Sequence, residues 1–258
     1  MSRYLIERLI FIVFLLCLIV FLNQYGFSYL WVTIPIILFV MYVAYNAFHL
    51  EQNFFLKSIT QGVKGKKGIA ITFDDGPNEK ITPQVLAILE KHKVKATFFC
   101  IGNEVEKHPE IVKHLDAAGH TIGSHSYSHA KWIDFNTTKK WVEEIDKTND
   151  VIHNVIGKTT RYFRPPYGVS TSHLANAIKR TKMLSIGWNI RSLDTMDNNV
   201  LEIVERSTHN LKDGCIVLFH DNLDWSCEVL EEFLVRVKKM NMEIVPLSNL
   251  IEEKAYEN

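Results

Sequence analysis

Two adjacent carboxylates stand at the end of an apolar run in Gly68-Ile69-Ala70-Ile71-Thr72-Phe73-Asp74-Asp75-Gly76-Pro77. The β-branched and aromatic residues read as a short strand, and Gly-Pro as the turn that ends it. Neighbouring aspartates repel one another unless a cation or a shared proton relieves them. A metal does this most simply, with one carboxylate as ligand and the other left to move a proton. Asp-Asp pairs also cap helices and build turns, so this one gains meaning only from ligands elsewhere. His125-Ser126-Tyr127-Ser128-His129 supplies them, directly after the apolar run His120–Gly123. A His-x-x-x-His spacing brings two imidazoles to one face of a helical turn or a compact loop. Two histidines, one carboxylate and one position open to water form a catalytic zinc pattern. The plainer alternative is a pair of surface histidines in a Ser-rich loop. The shared position at strand ends favours the metal.

The elements that must position these groups alternate between short apolar runs and amphipathic stretches. Strands are predicted at Gly68–Phe73, Ala96–Ile101, His120–Gly123, Tyr162-Phe163, Met183–Trp188 and Cys215–Phe219. Between them, Thr82-Pro83 opens a helix, and Pro109–Ala118 forms another that Gly119 stops. Thr137 or Thr138 caps a long helix that runs to Ile156 and ends at Gly157. Ser172–Lys182, Val200–Leu211 and Cys227–Met240 are further helices, and Glu243–Val245 with Ser248–Glu253 closes the chain. Such β-α alternation argues for a parallel sheet, doubly wound or closed into a barrel. Three more strand ends carry polar groups: Arg164-Pro165-Pro166-Tyr167-Gly168, Asp194, and His220-Asp221. In a β/α barrel the active site lies at the C-terminal ends of the strands, where every candidate group sits. Asp221 reads as a turn or capping residue. His49, His92, His108, His114 and His153 read as surface or packing residues.

With these motifs in this order, the chain resembles the polysaccharide deacetylases with a NodB homology domain, carbohydrate esterase family 4. Thr72–Pro77, Ser124–His129, Arg164–Gly168, Ser192-Leu193-Asp194 and Leu218–Asp221 carry the resemblance, which spans about Lys67 to Glu253. It implies a distorted (β/α) barrel, a glycan substrate and hydrolysis of its N- or O-acetyl groups. It also implies a divalent metal, zinc first, with cobalt or nickel as alternatives. Matched by position, Asp75, His125 and His129 would hold the metal and Asp74 would be the general base. Arg164 would hold Asp74, and the Tyr167 backbone N–H would face the oxyanion. His220, paired with Asp194, would be the general acid. Leu218, Pro166 and Tyr167 would contact the substrate. Where many members carry an aspartate and then Asp-Trp, this chain has Arg191 and then Asp194-Thr195. The competing readings are an O-acetyl esterase and a catalytically silent, membrane-tethered metal-binding module.

The chain has 258 residues with 29 Lys+Arg against 29 Asp+Glu, a balance that argues against nucleic-acid binding by bulk charge. No obligate protein partner is evident. Nearly all of Leu9–Phe48 is apolar, interrupted only at Asn23-Gln24-Tyr25-Gly26. Leu9–Leu22 is short for a membrane span, whereas Phe27–Phe48 reaches the roughly 20 residues a bilayer needs. Arg3 and Arg8 before the first block also suit a signal peptide. No small-x-small cleavage site follows and a second apolar run does, which favours a helical hairpin. The expected division is two transmembrane helices in 1–50, a linker in 51–66 whose Gly/Lys-rich part is Gln61–Lys67, and the deacetylase domain in 67–254. Arg3, Arg8 and Lys57, Lys64, Lys66, Lys67 flank the hairpin, so the positive-inside rule places the soluble domain in the cytoplasm. Glycan substrates of the family lie mostly outside, and substrate access favours an extracytoplasmic domain on a multi-pass anchor. Cys100 and Cys215 lie in apolar runs and read as buried hydrophobes, with no disulfide framework.

Overall fold

The computed structural model describes residues 3–257. The first apolar block is an uninterrupted helix, α1 (Arg3–Tyr25), longer than Leu9–Leu22 because no Gly or Pro breaks the flanking turns. A 3₁₀ turn at Tyr29–Val32 leads into α2 (Thr33–Ala47), where Pro35 falls in the first turn and its missing N–H costs nothing. Both helical stretches are long and apolar enough to cross a membrane, and few of their side chains are buried in the protein.

The stretch expected as linker contributes structure of its own. Leu50–Gln52 forms a 3₁₀ turn, and Ser58–Ile59 is a strand, β1. The chain continues through β2 (Ala70–Asp74), α3 (Ile81–His92), β3 (Thr97–Cys100), α4 (Gly102–Lys107), α5 (Pro109–Ala117) and β4 (Thr121–Ser124). The long α6 (Thr138–Ile156) is capped by the Thr137 hydroxyl and stopped by Gly157 at φ 71°. There follow β5 (Tyr162–Phe163), α7 (Ser172–Thr181), β6 (Leu184–Ile186), β7 (Ile190–Arg191), α8 (Val200–Thr208), β8 (Ile216–His220), α9 (Ser226–Lys239) and α10 (Leu247–Ile251).

The strands form one eight-stranded sheet in the order β1-β6-β5-β4-β3-β2-β8-β7, and every neighbouring pair is parallel. The sheet curls into a distorted (β/α) barrel. Its two flanks meet where Gln61 bridges Cys215 and the Gly62 N–H donates to Gly214 O at 2.8 Å. Helices α3, α5 and α9 cover β2, β3 and β8 through a core that includes Val85, Leu89, Val112, Leu115, Leu230, Phe233 and Phe98. A second core joins Trp141 and Ile145 of α6 to Leu174 and Ile178 of α7, with Leu56 and Ile133 between them.

Three elements differ from the sequence-based expectation. Within Met183–Trp188 only β6 is strand, and β7 forms beyond the run, beside β8; Gly187 supplies the last rung to β1. Its N–H donates to Ile59 O at 2.8 Å, and its carbonyl accepts from the Arg164 guanidinium at 3.0 Å. Glu243–Val245 makes only an isolated parallel bridge at Ile244, and the chain passes through Pro246 straight into α10. The short polar helix α4 lacked a hydrophobic period. Its first N–H groups, Gly102 and Asn103, donate to Ser126 O at 2.9 Å and Tyr127 O at 3.0 Å.

Candidate active site

The register of the sheet puts the candidate groups on one end of the barrel. Asp74 ends β2 and pairs with His220, the last residue of β8. Asp75 follows at φ 73°, a left-handed conformation that an aspartate tolerates better than a branched residue. The two carboxylates share His125 as a neighbour but differ in their closest partners.

Asp75 faces the histidine loop. Its Oδ1 lies 3.4 Å from Nε2 of His125 and 3.4 Å from Nε2 of His129. Among the described residues, these three form a group whose ligand atoms all lie within 4.8 Å of one another. Asp75 Oδ1 is buried and accepts no hydrogen bond, so its lone pairs stay open between two imidazole nitrogens. His125 Nδ1–H donates to Arg164 O at 2.9 Å, which leaves its Nε2 free to ligate. Burial pushes the Asp75 carboxyl up, but His125, backed by His220 and His129, outweighs it and holds the group well below the usual carboxylate range. Burial, then the charge of His125, lowers His129, which favours the neutral imidazole a metal requires. This donor set, N, N and O around an unsatisfied oxygen, fits a divalent metal such as zinc.

The loop that carries the histidines is held by a residue not singled out from the sequence. Glu144 of α6 accepts from the N–H groups of Tyr127 at 2.9 Å and Ser128 at 2.8 Å, and from the Ser128 hydroxyl at 2.8 Å. Ser126 at φ 64° and His129 at φ 46° close the loop, so the pair sits in a compact loop and not on a helical turn. An isolated acid on a helix gives no sequence signal of this role.

Asp74 Oδ2 lies 3.9 Å from the same His125 Nε2, but its other oxygen is held from behind. Arg164 Nη1 donates to its Oδ1 at 2.8 Å, and both side chains are buried. The same guanidinium reaches Thr72 Oγ1 at 2.7 Å, Ile186 O at 3.2 Å and Gly187 O at 3.0 Å. Phe99 flanks it at 4.1 Å and Trp188 at 5.5 Å. On the neighbouring strand, His220 Nδ1 donates to Asp194 Oδ1 at 2.8 Å, while the His220 backbone N–H donates to Asp194 Oδ2 at 2.9 Å. Burial would lower His220, but the hydrogen bond and charge of Asp194, with Asp74 and Asp75, outweigh it and raise the imidazole to about 9.

Asp74, Asp75, His125, His129, Tyr167, Leu218 and His220 line one cleft. Arg164 and Asp194 lie buried behind it, and Pro166 is buried beneath Tyr167 without lining it. Tyr167 holds φ 57°, and its hydroxyl donates to His129 O at 3.3 Å. Gly168, Trp188, Arg191 and Thr195 complete the lining. A Cβ on Gly168 would sit 2.6 Å from the Trp188 ring, so the indole packs directly on that glycine. Asp221 lies behind the cleft with its Oδ2 accepting from Thr82 Oγ1 at 2.5 Å, and burial raises its carboxyl to about 7. Cys100 and Cys215 are buried and unpaired.

Residues 61–186 match the model of the polysaccharide deacetylase family. A peptidoglycan-N-acetylglucosamine deacetylase of Bacillus cereus is 33% identical over 202 residues, which cover 74% of this chain and 70% of that protein. A peptidoglycan-N-acetylmuramic acid deacetylase of Bacillus subtilis is 30% identical over 214 residues, covering 81% and 77%. The crystal structure of a peptidoglycan N-acetylglucosamine deacetylase superposes with a TM-score of 0.73 at 28% identity, covering 78% of this chain and 96% of that one. Fold, order of motifs and similarity agree: the chain belongs to the polysaccharide deacetylase family, carbohydrate esterase family 4, and is a hydrolase of acetylated glycans.

Proposed function

We propose that this chain is a metal-dependent deacetylase that removes the acetyl group from N-acetylglucosamine-type residues of an envelope glycan such as peptidoglycan. Residues 1–50 anchor it as a two-helix hairpin, and 67–254 form the catalytic domain. The observation that carries the reading is the division of labour between adjacent carboxylates. Asp75 points at two imidazoles, while Asp74 is held by Arg164 and stands beside His220, its partner in the sheet register.

Asp75, His125 and His129 would hold the metal, which when bound polarises the acetyl carbonyl and lowers the pKa of water towards about 7. Asp74, fixed by Arg164 Nη1, takes the proton of the attacking water. The backbone N–H of Tyr167, presented by its positive φ, donates to the oxyanion, a contact worth about 3 kcal/mol in such sites. His220 then hands a proton from Nε2 to the departing amine nitrogen. Asp194 holds Nδ1 and keeps the ring cationic until that step. Leu218, buried at the cleft floor, packs against the acetyl methyl.

The test is acetate release from N-acetylglucosamine oligomers and peptidoglycan fragments by the full chain in detergent micelles. It is run with and without Zn²⁺ and beside Asp74→Asn, with matched O-acetyl substrates in parallel. Zinc-dependent release from the amides, lost in the variant, is the expected result. Release from esters alone would replace the reading with an O-acetyl esterase. Stoichiometric zinc binding with no release from any substrate would leave a silent metal-binding module.

A further inference from the structure

The membrane hairpin leaves the protein at the rim of the cleft. The last residue of α2, Ala47, accepts through its carbonyl from the Ser170 backbone N–H at 2.8 Å. Ser170 lies two residues beyond Gly168, which lines the cleft. Three residues after Ala47, Leu50 packs so closely on Gly187 that an added Cβ would sit 3.4 Å from Leu50 Cδ1, and Gly187 adjoins Trp188 of the cleft. The base of the hairpin is fixed in the same place. Tyr4 N–H donates to Phe54 O at 3.1 Å, and the Tyr42 ring meets that of Phe54 edge-on at 5.5 Å.

The loops at this end of the barrel carry large apolar side chains in the open. Trp132 and Phe135, just beyond His129, are 68% and 80% exposed, with ring centroids 6.0 Å apart. Met196, in the loop after β7, is 79% exposed, and Phe48, next to Ala47, is 66% exposed. Single exposed hydrophobes are ordinary. Here Trp132, Phe135 and Met196 stand on loops that follow strand C-termini, the end of the barrel that carries the cleft, and Phe48 stands where the hairpin joins Ser170 near its lining. Tryptophan and phenylalanine are suited to the boundary between headgroups and acyl chains.

We infer that the rim of the cleft rests in the lipid–water interface, and that the substrate is a glycan held at the bilayer by a lipid anchor. This rests on the deacetylase and hairpin readings above. A site placed there reaches sugars within the first layers above the headgroups, on whichever side of the membrane the domain lies.

The test uses the full chain in phospholipid bilayers, with Cys17 and Cys227 replaced by serine and a nitroxide placed through Phe135→Cys. Asn210→Cys is the control, since Asn210 is exposed in the loop leading into β8 at the opposite end of the barrel. The expected result is a several-fold higher ratio of oxygen to aqueous nickel collisions at 135 than at 210. Equal ratios would overturn the inference. A second arm presents N-acetylglucosamine oligomers linked to lipid directly or through long polymer spacers in the same bilayer. Directly linked oligomers are expected to lose acetate at least as fast as spaced ones, and Trp132→Ser with Phe135→Ser to slow that several-fold without changing the rate on free oligomers. Turnover of spaced oligomers alone would overturn the inference while the deacetylase reading stood. Interfacial depth at 135 with no acetate released from any glycan would leave the rim placement standing and remove the enzymatic reading.

Discussion

Arg164→Met removes the cation that holds Asp74 while keeping most of its volume. The guanidinium is buried and makes contacts to Asp74 Oδ1, Thr72 Oγ1, Ile186 O and Gly187 O, all within 3.2 Å. Removing one partner of a buried ion pair leaves an uncompensated charge and costs about 3–5 kcal/mol. For a domain of this size each kcal/mol moves Tm by roughly 2–4 °C, so the variant should melt roughly 6–20 °C lower. Thermal unfolding of the full chain in micelles, followed by near-ultraviolet circular dichroism, reads the tightly packed domain apart from the hairpin helices. Asp74→Asn in the same background removes the stranded charge. The double variant should therefore recover part of the loss, with a coupling of about 0.5–3 kcal/mol. A Tm drop below about 3 °C for Arg164→Met, or a double variant no better than the single, would refute the claim that Asp74 depends on this desolvated pair.

Three other outcomes follow from the geometry. His220 is raised to about 9 in the folded chain against an ordinary 6.5, so the metal-free protein has that stabilisation in full below 6.5 and loses it as pH rises through about 9. The loss is about 3 kcal/mol in urea unfolding. In Asp194→Asn burial acts unopposed by that carboxylate, the window should close, and the alkaline limb of the deacetylation profile should move to lower pH. His129→Gln removes one of the three proposed metal donors and should raise the zinc Kd by more than about tenfold in calorimetric titration, equivalent to at least about 1.4 kcal/mol. Gly123→Ala places a Cβ 2.6 Å from the Phe99 ring, which flanks Arg164. It should cost about 1–3 kcal/mol in thermal unfolding, with the loss traceable to overpacking.

The strand ends were legible because parallel strands in this fold are short apolar runs closed by Gly, Pro or a polar cluster, and the chemistry collects at those closures. Thr137 and Gly157 announced α6, and Tyr162-Phe163 announced β5. What escaped the sequence is set by contacts between distant residues. Where β6 ends, Gly187 gives its N–H to Ile59 and its carbonyl to Arg164, neither of which is near in sequence. The grip of Glu144 on the histidine loop joins residues sixteen and seventeen apart through backbone N–H groups, a pairing no side-chain pattern encodes. The different closest partners of Asp74 and Asp75 are likewise set by distant residues, Arg164 for one and the two histidines for the other. Residue types named the chemistry, and contacts between distant residues assigned each group its partner.

The edge strand Ser58–Ile59 gives the biosynthesis of this chain an order. Its ladder partner, reached where Ser58 Oγ meets Ser185 Oγ at 2.8 Å, lies 127 residues later. At ordinary ribosomal speeds that interval lasts roughly 6–25 s. Under the proposed anchoring, the hairpin enters the bilayer long before β6 exists, and β1 waits as an unpaired edge beside the membrane. Arrival of β6 then draws the nearly complete sheet onto a strand already fixed at the lipid surface. Insertion and barrel closure are in that way sequential events, and a lesion in the hairpin would surface as a delayed, aggregation-exposed sheet edge before any defect in the catalytic groups.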